Sequence, residues 1–243
     1  MRGTLMVYKD PEELAEKVAD QLMKWIAESS GKRFDLAISG GSSPNILFAT
    51  LASKYANSQL WNKTHFWWVD ERMVAPDDPE SNYGTANQFI LSKINVPEQN
   101  IHRICGENNP ILEAENYSRQ IGQTLSLFQG WPCFDLIFLG LGDDGHTASI
   151  FPNRLELFNS ANVCEVANHP ATSQPRVTLT GEVINRASKV CFLVTGANKS
   201  ERLSEIWRGE EKGKKLPAFY VKPLNSELFW FTDPKAAQSL SDL

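Results

Sequence analysis

A run of buried-strand residues that feeds straight into a charged glycine turn constrains this chain most: Phe134-Asp135-Leu136-Ile137-Phe138-Leu139-Gly140-Leu141-Gly142-Asp143-Asp144-Gly145-His146. Residues 135–141 are almost all apolar and are followed by turn residues, the pattern of a strand covered on both faces in a parallel sheet. Such sheets open their ligand crevice outside the carboxyl ends of the strands. The turn from Gly142 to His146 is therefore expected to line a pocket. Gly140, Gly142 and Gly145 also fit the spacing of a dinucleotide turn. Asp143 and Asp144, however, place two negative charges where a pyrophosphate would sit, and Pro152 limits any following helix.

Strand and helix patterns alternate along the rest of the chain. Asp10-Pro11-Glu12-Glu13 reads as an N-cap, a proline at N1 and an acidic N3 residue. Leu14, Val18, Leu22, Trp25 and Ile26 follow at helical spacing, and Gly31 closes the helix. Further strands are expected over 34–39, 65–70, 190–195 and 228–231, and helices over 44–55, 82–94, 111–128, 181–187 and 199–208. The stretch 152–175 reads as irregular. This order predicts one doubly wound α/β domain over 1–243, Rossmann-like, with a mainly parallel sheet and helices on both faces.

Charge and cysteine usage narrow the classes. The 24 basic and 29 acidic residues give a formal charge of −5, which argues against a general nucleic-acid or anionic-membrane partner. Any anionic ligand must then meet a local cluster of cations. Cys105, Cys133, Cys164 and Cys191 show no C-x-x-C spacing and read as reduced thiols. Residues 1–10 hold no apolar signal core, and no run approaches the ~20 apolar residues of a membrane span. A cytoplasmic protein is expected. The charged stretch 208–215 reads as a solvated loop.

Three more segments point to the same edge of the sheet. Ser39-Gly40-Gly41-Ser42-Ser43-Pro44 joins the first clear strand to a helix. Its small residues let a ligand approach the backbone, its hydroxyls donate, and the helix N-terminus favours an anion. It lacks the lysine of a Walker A loop. Asp70-Glu71-Arg72 reads as a charged turn after the aromatic strand Phe66-Trp67-Trp68-Val69. Arg176, in Pro175-Arg176-Val177-Thr178, and Lys199, after Thr195-Gly196-Ala197-Asn198, each set a cation beside a strand-like segment. Together these describe a pocket for a small phosphorylated, hydroxylated molecule. His65, His102 and His169 read as structural. Asp143, Asp144 and His146 lack the second His or Cys pair of a metal site, so no metal is expected, and no G-x-S-x-G elbow is present.

Ser39 to Pro44, Asp70-Glu71-Arg72 with Ser81-Asn82, Gly140 to His146 continuing into Thr147-Ala148-Ser149-Ile150-Phe151-Pro152, and Arg176-Val177-Thr178 closely resemble the 6-phosphogluconolactonase family over nearly the whole chain. Asn153 departs from the glycine that often follows Phe-Pro there. The resemblance implies a fold akin to glucosamine-6-phosphate deaminase and no cofactor. It implies hydrolysis of 6-phospho-D-glucono-1,5-lactone to 6-phospho-D-gluconate in the oxidative pentose phosphate pathway, so the partner is a phosphorylated sugar lactone. On that reading His146 is general base and Asp144 orients or charge-stabilises its ring. Arg72 lies near the sugar end, Gly40, Gly41 and Asp70 line the substrate, and Ser42, Ser43, Arg176 and Lys199 take the phosphate. The related deaminases carry Asp-Glu-Tyr in place of Asp70-Glu71-Arg72, and a glutamate five residues after the histidine, where this chain has Phe151. A non-catalytic sugar-phosphate sensor is the third reading, and it lacks a DNA-binding helix pair here.

Overall fold

The computed structural model describes residues 3–31, 33–224 and 227–240; Met1 and Arg2 of the amino-terminal segment lie outside them. Among the described residues the strands are β1 (Thr4–Val7), β2 (Phe34–Ile38), β3 (Thr64–Trp68), β4 (Asp70–Arg72), β5 (Ile101–His102), β6 (Leu127–Phe128), β7 (Trp131–Pro132), β8 (Leu136–Gly140), β9 (Cys164–Asn168), β10 (Pro175–Leu179), β11 (Lys189–Val194) and β12 (Glu227–Thr232). The α-helices are α1 (Pro11–Glu28), α2 (Ser42–Tyr55), α3 (Asn82–Phe89), α4 (Pro110–Thr124), α5 (Gly181–Ile184), α6 (Ser200–Arg208) and α7 (Pro234–Ala237).

Seven strands pair in parallel in the order β1-β12-β11-β8-β2-β3-β5. Every residue of β2 is buried. Alternate residues of a strand face opposite ways, so both faces of the sheet are covered. α1 begins as its sequence implies: Asp10 accepts from the Glu13 amide at 2.8 Å, with Pro11 at the first position. The Glu13 carboxylate reaches the Lys9 amide at 2.7 Å. Leu14, Val18, Leu22 and Ile26 form its buried stripe. The helix stops at Glu28, three residues before Gly31, because Ser29 turns extended.

From β2 the chain adds β3 and β5 on one side, then crosses back to set β8 on the other. The gap between β2 and β8 is thus a topological switch point, where the two carboxyl-end loops diverge and leave a crevice. β2 and β8 pair only at Leu36 with Leu136 and Ala37 with Ile137. Beyond that the Ser39 hydroxyl donates to the Phe138 carbonyl at 2.8 Å. The Ser39–Pro44 loop and the Gly142–His146 turn flank this point.

Several sequence expectations give way to tertiary pairing. Asp70-Glu71-Arg72 is not a turn: it is β4, the edge of a second, antiparallel sheet of order β4-β10-β9. Val69 is the joint, since its amide donates to Ile38 of the main sheet and its carbonyl accepts from Leu179 of the small one. The region expected to be irregular holds β9 and a 3-10 segment, Pro152–Asn159. The expected helices over 82–94 and 111–128 end early, at Phe89 and Thr124. Leu127 and Phe128 instead pair with β7. Strands β1 and β5 carry no clear strand pattern and form by edge pairing to β12 and β3. The 208–215 stretch exposes its lysines as expected, yet Gly213 is buried where a Cβ would lie 2.2 Å from the Glu205 carbonyl.

Candidate active site

All ten residues singled out from sequence line one cleft of about 410 Å³ at the switch point. They do not arrive from one sheet. The glycine loops come from the parallel sheet, while Asp70, Arg72 and Arg176 come from the antiparallel one.

The loop after β2 reaches the cleft through Gly41, whose φ of 115° a side chain would resist. Gly40 is fixed by a close approach, because a Cβ there would lie 1.9 Å from the Asn82 side-chain oxygen. On the other flank Ser43 Oγ hydrogen-bonds Thr195 Oγ1 at 2.6 Å. The N-terminus of α2, with its free amides and positive dipole end, faces the cleft between these two anchors.

The turn after β8 sets the histidine. Gly145 takes φ 81°, and the Gly142 amide donates to the His146 carbonyl at 2.8 Å. A Cβ on Gly142 would lie 2.1 Å from His146 Nδ1, so the ring packs where only glycine leaves room. Asp144 Oδ1 accepts from the His146 amide at 3.0 Å and meets Nδ1 at 2.6 Å. Burial pushes the Asp144 carboxyl up, but its hydrogen bonds and charge pairing with His146 outweigh this and hold it at about 2. Asp144 is then acceptor only, Nδ1 carries the proton, and the Nε2 lone pair is left to act as a base. Asp143 does something else. It accepts from Asn198 Nδ2 at 2.8 Å and forms an ion pair with Lys199. The Lys199 hydrogen bond lowers its pKa. Leu216 packs against Gly145, and Ala218 donates to the Gly145 carbonyl at 3.1 Å, bracing the turn from outside.

The Asp70-Glu71-Arg72 triplet divides by strand alternation. Glu71 points away from the cleft and caps α3, accepting from the amides of Asn82 and Tyr83, both at 2.7 Å. Burial raises its pKa against those bonds. Asp70 and Arg72 face the cleft. Asp70 accepts from Ser149 Oγ at 2.6 Å and lies 4.0 Å from Arg176 Nη1. Arg72 and Arg176 stand directly opposite each other on β4 and β10. Each has a buried Nε with no hydrogen-bond partner. Burial, and the neighbouring charge of Arg72, lower the Arg176 pKa despite Asp70. Like charges opposed across strands are unfavourable, and an anion between them removes the penalty.

One histidine of the cleft was not legible in the sequence. His169, taken as structural, lines the cleft from the hairpin between β9 and β10 and stands edge-on to Phe151, centroids 5.3 Å apart. Only its pairing opposite Gln174 in that hairpin, at 2.9 Å, brings it there. His65 and His102 lie elsewhere, bonded to each other at 2.9 Å. Among the described residues no group of three or more His, Cys, Asp or Glu is placed to hold a metal ion. No helix there is long and apolar enough to cross a membrane.

A glycine-loop cleft at the switch point of a parallel sheet, with a carboxylate-locked histidine and converging cations, is the kind of site an α/β enzyme offers a small anionic ligand. Comparison with known proteins makes this particular. The family model described as glucosamine-6-phosphate isomerases/6-phosphogluconolactonase matches residues 9–230. The chain belongs to that family. It is 37% identical to 6-phosphogluconolactonase of Aggregatibacter actinomycetemcomitans, over 97% of this chain and 99% of the relative. It is 40% identical to that of Haemophilus influenzae, over 84% of this chain and 87% of the relative. The solved structure of 6-phosphogluconolactonase from Trypanosoma brucei superposes with a TM-score of 0.88 at 28% identity, covering 98% of both chains. A monomeric glucosamine-6-phosphate deaminase shares the fold, at TM-score 0.77 and 18% identity over 97% of this chain and 99% of that one.

Proposed function

We propose that this chain hydrolyses 6-phospho-D-glucono-1,5-lactone to 6-phospho-D-gluconate. The observation that carries the reading is the His146–Asp144 pair, with the carboxylate on Nδ1 and the histidine lining the same cleft as the opposed Arg72 and Arg176. His146 Nε2 takes a proton from water as the water oxygen attacks the lactone carbonyl carbon. The negative charge on the carbonyl oxygen develops beside the imidazolium, which offsets it. Collapse breaks the bond to the ring oxygen, which receives the proton back from the imidazolium and becomes a hydroxyl. Asp144 holds the tautomer and offsets the imidazolium charge.

The phosphate is assigned to the α2 N-terminus with Gly40, Gly41, Ser42 and Ser43, and to Arg176 and Lys199 on its two flanks. Arg72, expected near the sugar end, is reassigned to share the phosphate because its strand register sets it opposite Arg176. Asp70 is assigned to a sugar hydroxyl. Four free cysteines, two of them buried, fit a cytoplasmic setting.

Deamination of glucosamine 6-phosphate fits less well. The position that carries a glutamate in the deaminases is Phe151, buried and packed on the His146 ring with centroids 5.0 Å apart. No carboxylate there can tune the histidine for sugar-ring opening. Purified, metal-stripped protein is expected to speed lactone hydrolysis above its spontaneous rate and to release no ammonia from glucosamine 6-phosphate. Ammonia release matching lactone turnover would reverse the choice.

A further inference from the structure

We infer that His169 is a substrate-contacting residue, presenting a fixed neutral Nε2–H to a hydroxyl of the bound sugar; this rests on reading the cleft as a phosphorylated-lactone site. The amides of Ala171 and Thr172 both donate to His169 Nδ1, at 3.3 and 3.2 Å. A nitrogen that accepts two N–H groups carries no proton, so the ring's hydrogen sits on Nε2. Those two bonds also fix the ring's direction. The backbone around it is held in turn: Ser173 donates to the His169 carbonyl at 2.8 Å with a left-handed φ of 57°, and the His169 amide donates to Gln174 at 2.9 Å. The Gln174 side chain reaches Glu80 at 2.9 Å, and the Glu80 carbonyl accepts from Arg72 at 2.7 Å. The hairpin tip is therefore tied to the same loop that holds a cleft arginine.

Three polar groups surround one buried ring. His146 and His169 pack on Phe151, at 5.0 and 5.3 Å between centroids, and the Arg176 guanidinium lies 5.6 Å from it. A substrate spanning from the cations to the base thus passes within reach of His169. Burial and the nearby Arg176 disfavour the imidazolium form. A neutral donor suits a neutral hydroxyl, whereas the phosphate already has charged partners. A contact of this kind is made equally in the ground state and the transition state, so it acts on KM and leaves kcat alone.

Two substitutions separate the two ring nitrogens. His169→Asn puts an oxygen at the Nδ1 position and keeps the hairpin bonds but removes the distal donor; His169→Gln carries an amide N–H to the Nε2 position. His169→Asn is expected to raise KM for the phosphorylated lactone about three- to tenfold, the worth of one hydrogen bond, with kcat and Tm unchanged. His169→Gln is expected to restore most of that affinity. Titration calorimetry with 6-phosphogluconate should show the same order in Kd. A wild-type KM and Kd in His169→Asn overturns the inference, as does equal loss in both variants or a loss confined to kcat. Wild-type turnover of the lactone is measured first: its absence defeats the functional reading, while the calorimetric comparison still decides His169.

Discussion

The two ends of the parallel sheet carry similar residues and use them differently. At the amino end Arg33 forms a two-pronged pair with Asp35, whose Oδ1 also accepts from Trp67 Nε1 at 2.7 Å. His102 stacks on Trp67 at 4.0 Å, bonds His65, and meets Gln120 at 3.2 Å. The ionic and imidazole groups there are answered by neighbours. At the carboxyl end Arg72 and Arg176 face each other with unanswered Nε atoms, and His146 spends only one ring nitrogen. Residue type does not separate the two clusters; leftover bonding capacity does. A closed polar network spends its bonding capacity on the fold, whereas an open one leaves donors that a ligand can take up.

Substitutions at the two ends should therefore move different observables. The largest effect is expected for His146→Asn, with kcat for the lactone lower by on the order of 10²–10⁴, the fold unchanged and 6-phosphogluconate binding largely kept. Uncatalysed lactone hydrolysis must be subtracted at each pH. A variant with wild-type kcat would remove the contrast. At the amino end Arg33→Ala leaves the nearly buried Asp35 without its cation. It should cost about 2–3 kcal/mol in denaturant titrations, below the figure for a fully buried pair because Arg33 is partly exposed. Its kcat/KM should stay at the wild-type value.

Arg176→Ala should weaken the phosphorylated lactone by about 1.5–3 kcal/mol, read as a rise in KM. Unphosphorylated gluconolactone is the control and should be little affected. Equal losses on both lactones would deny that the opposed arginines hold phosphate. The smallest effect concerns His102, which burial and the charges of Arg33 and His65 lower to about 4, against Asp35. Between its ordinary value near 6.5 and about 4 the unfolded chain holds more protons than the native one. Stability should thus fall as pH drops through that window and level off below it. After discounting for partial exposure, His102 accounts for about 1–2 kcal/mol of this. His102→Gln should flatten that part of the urea-midpoint profile while leaving activity at neutral pH intact.

The sequence already marked the nearly apolar strands β2, β8 and β11, interrupted only by Asp35 and Lys189, because burial on both faces writes an almost continuous signal. It also placed the two glycine loops, since a turn at a strand's carboxyl end needs residues that only a few side chains replace. Asp144 beside His146 was legible for the same reason: their partnership spans two residues.

The remaining features depend on pairing between distant segments, which only the folded chain brings together. Three charged residues, Asp70 to Arg72, carry no strand periodicity, and they become β4 only because β10 offers an edge more than a hundred residues later. That pairing turns Glu71 into a helix cap and sets Arg72 against Arg176. The same hairpin brings His169 to the cleft, and the long crossover brings Lys199 to Asp143 rather than leaving it free. Local patterns record what one segment buries, whereas the convergence of a site is fixed by register and topology, which no single segment contains.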